Sequence, residues 1–142
     1  MRRSLSVGLI GDYDPDVLAH QAIPRALELA GAAAGVSVDP EWVPTEEITS
    51  DARVAAFDAL WCVPASPCHC RYGLNPAFRE ALTAGPLRVA AEDGVGDVRA
   101  VELAGHPFFV ATLFQPERAA LRGALPPLAA ALVRAAGRIS GA

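Results

Sequence analysis

Three cysteines and one histidine come closest to forming a chemical site in the bare sequence: Cys62, and the run Cys68-His69-Cys70. Thiolate and imidazole both bind zinc or copper well, and a thiolate is also a nucleophile and a redox group. A structural zinc site draws its four ligands from two separated pairs, and the chain has no second C-x-x-C or H-x-x-H element to supply one. No metal is therefore predicted, and Cys68, His69 and Cys70 stand only as metal or redox candidates. An odd cysteine count, with two cysteines one residue apart, argues against a disulfide framework. Asp12, Asp14 and Asp16 imitate the start of a calcium loop. The sixth position is aliphatic where the turn needs glycine, and the distal glutamate is missing, so helix capping is the better reading. Gly94-x-Gly96 lacks the third glycine of a dinucleotide loop, and no cofactor is expected.

These residues hang on a framework that alternates strand and helix. Ser6–Ile10 is a short, nearly continuous apolar run ended by Gly11, the pattern of a strand buried on both faces in a parallel sheet. Asp14-Pro15-Asp16 reads as a helix start, with Asp14 as N-cap and Pro15 at the first helical position. Val17, Leu18, Ala22, Ile23, Ala26, Leu27 and Ala30 keep a helical period up to Gly31. Pro24 predicts either a kink or a helix that begins there. Val36, Val38 and Trp42 mark a second strand, with a break expected at Pro40, and Leu60–Val63 marks a third. Strand, helix, strand in this order predicts a right-handed βαβ unit and an α/β fold. Further on, Asn75 caps a helix through Leu82, strands cover 87–91 and 98–103 around a turn at 94–97, and Phe108–Phe114 is another strand. Pro126 and Pro127 open a final helix ending near Gly137.

Bulk properties narrow the partners. Hydrophobic residues make up 52% and charged residues 20% of the 142 residues, the balance of a folded domain rather than a disordered chain. A formal charge of −4, with no cationic cluster, disfavours nucleic acid and anionic membrane. Arg2 and Arg3 precede an apolar run too short for a secretion signal, and no run reaches the ~18–20 residues that span a bilayer. A cytoplasmic protein without nucleic-acid or membrane partners is expected, and an oligomer is compatible with the sequence.

The most informative stretch is His106-Pro107-Phe108-Phe109-Val110-Ala111-Thr112-Leu113-Phe114-Gln115-Pro116-Glu117. By itself it is a buried strand ending in a turn that presents two polar side chains. It closely resembles the end of the class I glutamine amidotransferase domain of CTP synthases, where H-P-[FW]-F-V-A leads into F-H-P-E and the His and Glu complete a Cys-His-Glu triad. Further matches follow in order. Val7–Tyr13 resembles the first strand and its G-K-Y. Trp42-Val43-Pro44 and Asp58–Pro64 resemble the strands before a P-G-G-F-G loop. His69–Pro76 resembles H-R-H-R-Y-E-V-N-P, whose arginine helps bind glutamine, and Pro126-Pro127-Leu128 resembles the closing helix. The resemblance implies a three-layer, flavodoxin/Rossmann-like fold. It also implies a single shortened domain over 1–142, with 1–67 similar to the family's N-terminal part and 68–142 to its C-terminal part.

Three departures shape the expected activity. Gln115 stands where the family has histidine, and an amide cannot shuttle a proton between cysteine and leaving ammonia. Val63-Pro64-Ala65-Ser66-Pro67 replaces the glycine-rich oxyanion loop, whose backbone N–H must approach the developing charge closely. The nucleophile elbow, G-x-C-x-G, is absent, and the family's first and last portions look joined at Pro67–Cys68. No catalytic residue is then intact: Gln115 and Glu117 are degenerate triad positions, while Arg71 and Tyr72 are the substrate-binding candidates. The FQPE variant is similar to a bacterial group of stand-alone proteins related to the CTP synthase C-terminal region, some of which contain selenocysteine. The expectation is a degenerate amidotransferase domain without glutaminase activity that binds a small molecule or a partner. The candidate partners are glutamine or a related amino acid and a separate synthetase. One alternative is a glutamine-hydrolysing component that supplies ammonia for CTP synthesis from UTP. Another is a thiol redox or metal module built on Cys68, His69 and Cys70.

Overall fold

The computed structural model describes residues 4–64 and 73–141. They belong to two compact units, one combining Met1–Cys68 with Pro116–Ala142 and the other formed by His69–Gln115. The architecture is mixed α/β with two small sheets.

In the first unit, β1 (Ser4–Ile10), β2 (Ser37–Val43) and β3 (Ala59–Cys62) form a parallel sheet in the order β2-β1-β3. The central strand is the most apolar: Leu5, Val7 and Leu9 are buried on one face. Gly8 points to the other, where an added Cβ would lie 2.8 Å from the Phe57 ring. Two-sided burial is what an apolar central strand of a parallel sheet requires. The expected break at Pro40 does not occur. Pro40 sits within β2 opposite Val7, and β2 is an edge strand, where a residue without an N–H is tolerated.

The crossover helix α1 (Leu18–Ala34) begins later and ends later than its sequence pattern predicts. Asp14 is not its N-cap. The Asp14 carboxylate accepts the Asp16 N–H, its carbonyl accepts the Val17 N–H, and Val17 takes the cap position without a side-chain bond. A short acid that can close a local turn competes with the first helical turn in this way. Pro24 lies inside the helix rather than at its start. Gly31 does not end it either, because the left-handed residue is Gly35, with φ 74°. Gly31 serves packing instead: a Cβ there would lie 2.9 Å from the Val36 carbonyl oxygen. Helix α1 packs against α4 (Pro127–Ile139) and the 3-10 segment Pro116–Arg122. About half of the buried residues of both helices are alanines, which favours close helix contact.

A carboxylate ties the opposite end of the sheet together. Asp58 Oδ2 accepts the Ser6 N–H and hydroxyl at 2.8 and 2.9 Å, and its Oδ1 accepts the Ser140 hydroxyl just beyond α4. The short helix α2 (Asp51–Ala55) lies between β2 and β3 in sequence.

The second unit is an antiparallel meander of β4 (Leu87–Glu92), β5 (Val98–Leu103) and β6 (Val110–Thr112), preceded by α3 (Arg79–Thr83). Asn75 caps as expected, accepting the Ala77 N–H, although the first turn it caps is 3-10. The β4–β5 turn is organised by Asp93: Oδ1 accepts the N–H groups of Val95 and Asp97, and Oδ2 accepts two bonds from Arg99. The Arg99 guanidinium, helped by those N–H groups, holds the Asp93 carboxyl below the usual carboxylate range. The strand expected over Phe108–Phe114 shrinks to Val110–Thr112. Before it, the Phe108 N–H turns back onto His106 Nδ1, which ends the strand there, although the Phe109 carbonyl still accepts from Leu103 in the β5–β6 register.

Gly11, which follows β1, has φ 142°, and a Cβ there would lie 2.5 Å from Val63 Cγ2. Gly11→Ala is therefore expected to lose about 2–3 kcal/mol of stability through backbone strain and overpacking. Urea unfolding monitored by circular dichroism, with an unchanged denaturant slope, checks this.

Candidate functional site

At the carboxyl end of the parallel sheet, the Gly11 N–H donates to the Val43 carbonyl and the Val63 N–H to that of Ile10, so the three chain exits stay in register. β1 has β2 on one side and β3 on the other, and connections therefore diverge on either side of it. In open α/β sheets, ligands settle outside the carboxyl ends of strands where connections diverge.

The segment after β1 is held by side chains. Asp12 accepts the Thr45 N–H at 2.9 Å and its hydroxyl. Tyr13, 54% exposed, stacks on His20 at 6.0 Å between ring centroids and meets Trp42 edge-on at 4.9 Å. His20 and Trp42 lie 5.0 Å apart. His20 itself is buried in the first turn of α1. Its Nδ1 accepts the Asp14 N–H at 2.9 Å. That bond assigns the proton to Nε2, which donates to the Pro64 carbonyl at 2.7 Å. One imidazole thus links α1, the loop after β1 and the loop after β3. With both nitrogens engaged it is a positioning group, while the exposed part of Tyr13 offers a surface for a planar ligand.

His20 was not singled out in the sequence. The signal was its spacing, three residues before Ile23 and seven before Leu27, which places it on the apolar stripe of the helix. A lone histidine on such a stripe does not name its partners, and both lie outside the helix.

The residues that the sequence did single out fall in different places. Arg71, Tyr72, Cys68, His69 and Cys70 lie outside the described residues. Gln115, half-buried, closes the second unit. Glu117 belongs to the first unit, in the 3-10 segment packed on α1, and is only 2% exposed. Burial pushes its carboxyl above the ordinary range, opposed by its own backbone N–H and by the charge of Arg118. Arg118 Nε is buried without a hydrogen-bond partner. Cys62 is the last residue of β3 and an exposed free thiol. Among the described residues no cluster of His, Cys, Asp or Glu is fit to hold a metal ion, and no helix is long and apolar enough to cross a membrane.

The exit of β3 bears on oxyanion chemistry. The Val63 N–H is committed to Ile10, Pro64 has no N–H, and the Pro64 carbonyl is engaged by His20. Residues 63 and 64 therefore offer no free donor to a developing negative charge. A scan of the sequence against known protein families finds no match.

Replacing His20 by leucine strands a buried N–H and a buried carbonyl. His20→Leu is expected to cost about 3 kcal/mol, within the range for two unsatisfied groups, read as a lowered urea midpoint. Glu117 gives a pH signature. A carboxyl whose pKa is raised on folding holds its proton more tightly in the native state, so it stabilises below the ordinary carboxylate pKa and loses that contribution as pH rises through the raised value. Glu117→Gln should accordingly be more stable than the native chain at pH 7, and the gain should vanish by about pH 4. Paired unfolding curves between those pH values check the sign.

Proposed function

We propose that this chain is a degenerate CTP-synthase-type class I glutamine amidotransferase domain. On this reading it is a cytoplasmic, bacterial pseudoenzyme related to pyrimidine biosynthesis that binds a small molecule or partner without hydrolysing glutamine. The parallel β2-β1-β3 order supports the reading, being compatible with one portion of a flavodoxin-like sheet. The loss of hydrolysis rests on two separate observations, the amide at position 115 of the sequence and a β3 exit that presents no donor at Val63 and Pro64. The first removes the proton shuttle of acyl transfer, and the second removes part of the oxyanion support. Under this reading Arg71, with its fixed fork of donors, holds an α-carboxylate and Tyr72 lines the same pocket.

The purified chain is expected to release no ammonia from glutamine above a no-protein blank, and Gln115→His alone is expected to restore none. A coupled glutamate dehydrogenase assay measures both. Turnover by the native chain, or labelling of Cys68 or Cys70 by a glutamine-analogue electrophile, would establish a working nucleophile and overturn the proposal.

A further inference from the structure

The second unit contains a cavity that the proposed function does not use. Its volume is about 350 Å3, near the low end of the range for small-molecule pockets, and its walls are almost wholly apolar. The described residues that border it all lie between Gly73 and Leu113, within the one unit. Strand alternation and register explain the lining. Val101 pairs with Ala111, and the Leu113 N–H bonds the Arg99 carbonyl, so Arg99, Val101, Ala111 and Leu113 share one face of the β5–β6 pair. Leu74 and Leu82 add apolar surface.

Among the described residues bordering this apolar space, Arg99 is the one that carries a charge. Its Nε and Nη2 donate to Asp93 Oδ2 at 2.9 and 2.6 Å, which fixes the guanidinium plane. Its Nη1 has no hydrogen-bond partner among the described residues. Position 73 is glycine, and a Cβ there would lie 3.8 Å from Nη1, so the backbone at 73 runs within contact range of that donor and no side chain at 73 covers it. A rigidly held cation whose Nη1 amino group is unused, set beside aliphatic walls, complements a ligand with an anionic head and an apolar body.

We propose that the cavity of the antiparallel unit is a binding site for a small aliphatic carboxylate, its carboxylate on Arg99 Nη1 and its alkyl chain among Leu74, Leu82, Val101 and Leu113. The site is independent of the amidotransferase reading, because it uses none of Arg71, Tyr72, Gln115 or Glu117. Arg99 is already oriented, so the ligand's charge meets a preorganised donor rather than a mobile side chain.

Calorimetric titration of the full chain with hexanoate tests this, with hexanamide as the neutral isostere. Saturable one-site binding is expected, at least tenfold weaker for hexanamide. Ala111→Phe, which fills the space from an exposed strand position outside the Asp93–Arg99 pair, should weaken hexanoate binding at least tenfold while the thermal unfolding midpoint stays put. Equal binding of hexanoate and hexanamide would overturn the role of Arg99, and undiminished binding by a folded Ala111→Phe chain would overturn the location. Absence of saturable heat would remove the site altogether. A leucine-ending tripeptide that binds more tightly than hexanoate would overturn the small-molecule assignment in favour of a peptide terminus.

Discussion

Strand β1 has neighbours on both edges and is buried across Leu5, Val7 and Leu9, and the first unit is built around that constraint. A strand in this position admits no unpaired polar group, so every backbone group must be matched by β2, β3 or a flanking turn. It also limits side-chain volume. Gly8 makes room for the Phe57 ring, and Gly11 lets the chain leave past Val63. At the amino end the Asp58 carboxylate answers the Ser6 N–H and hydroxyl and reaches Ser140 beyond α4, so one acid joins the sheet to the last helix. A charge-assisted network of this kind fixes register as well as contributing energy.

At the carboxyl end the same task falls to a neutral ring. The late start of α1 and the burial of His20 are parts of one arrangement. Asp14 closes its own turn onto Asp16, the helix begins at Leu18, and His20 then occupies the first turn, where its Nδ1 meets the Asp14 N–H. The opposite nitrogen reaches Pro64 after β3. A hydrocarbon of similar size would fill the space but leave a donor and an acceptor unmatched, which is the costlier outcome in a buried site. Tyr13 and Trp42 pack around the imidazole and limit water access on that side.

The elements legible in the sequence are those fixed by local chemistry. Strand β1 follows from a run of apolar residues, the Asn75 cap from a side chain reaching two residues ahead, and α4 from a proline at its first turn. The misread positions are those where distant partners decide. Pro40 looks like a strand breaker until β2 is known to be an edge, and Gly31 looks like a helix end until Val36 and Val38 are seen to press on it. Phe108–Phe114 has strand-like composition throughout, yet the regular β5–β6 ladder covers only Val110–Thr112, extended by single bonds at Phe109 and Leu113. The candidate site was less legible. The motif drew attention to Gln115 and Glu117, whereas the ring that organises the end of the sheet is a histidine on a helical stripe whose partners lie six and forty-four residues away.

Glu117 links these physical constraints to the proposed loss of hydrolysis. A carboxylate is stable in a buried position when a cation or several donors face it, and a protonated imidazole is the cation that a catalytic triad supplies. In this chain the residue two positions earlier is an amide. The charge acting on Glu117 is that of Arg118, and it does not outweigh burial, so the balance moves toward the neutral acid. That direction is unfavourable for a group that must stabilise an imidazolium, since a protonated carboxyl supplies no counter-charge. It is tolerable for a side chain in the segment that packs against α1. The amide at 115 and the raised carboxyl at 117 therefore point the same way, although one is read from the sequence and the other from burial.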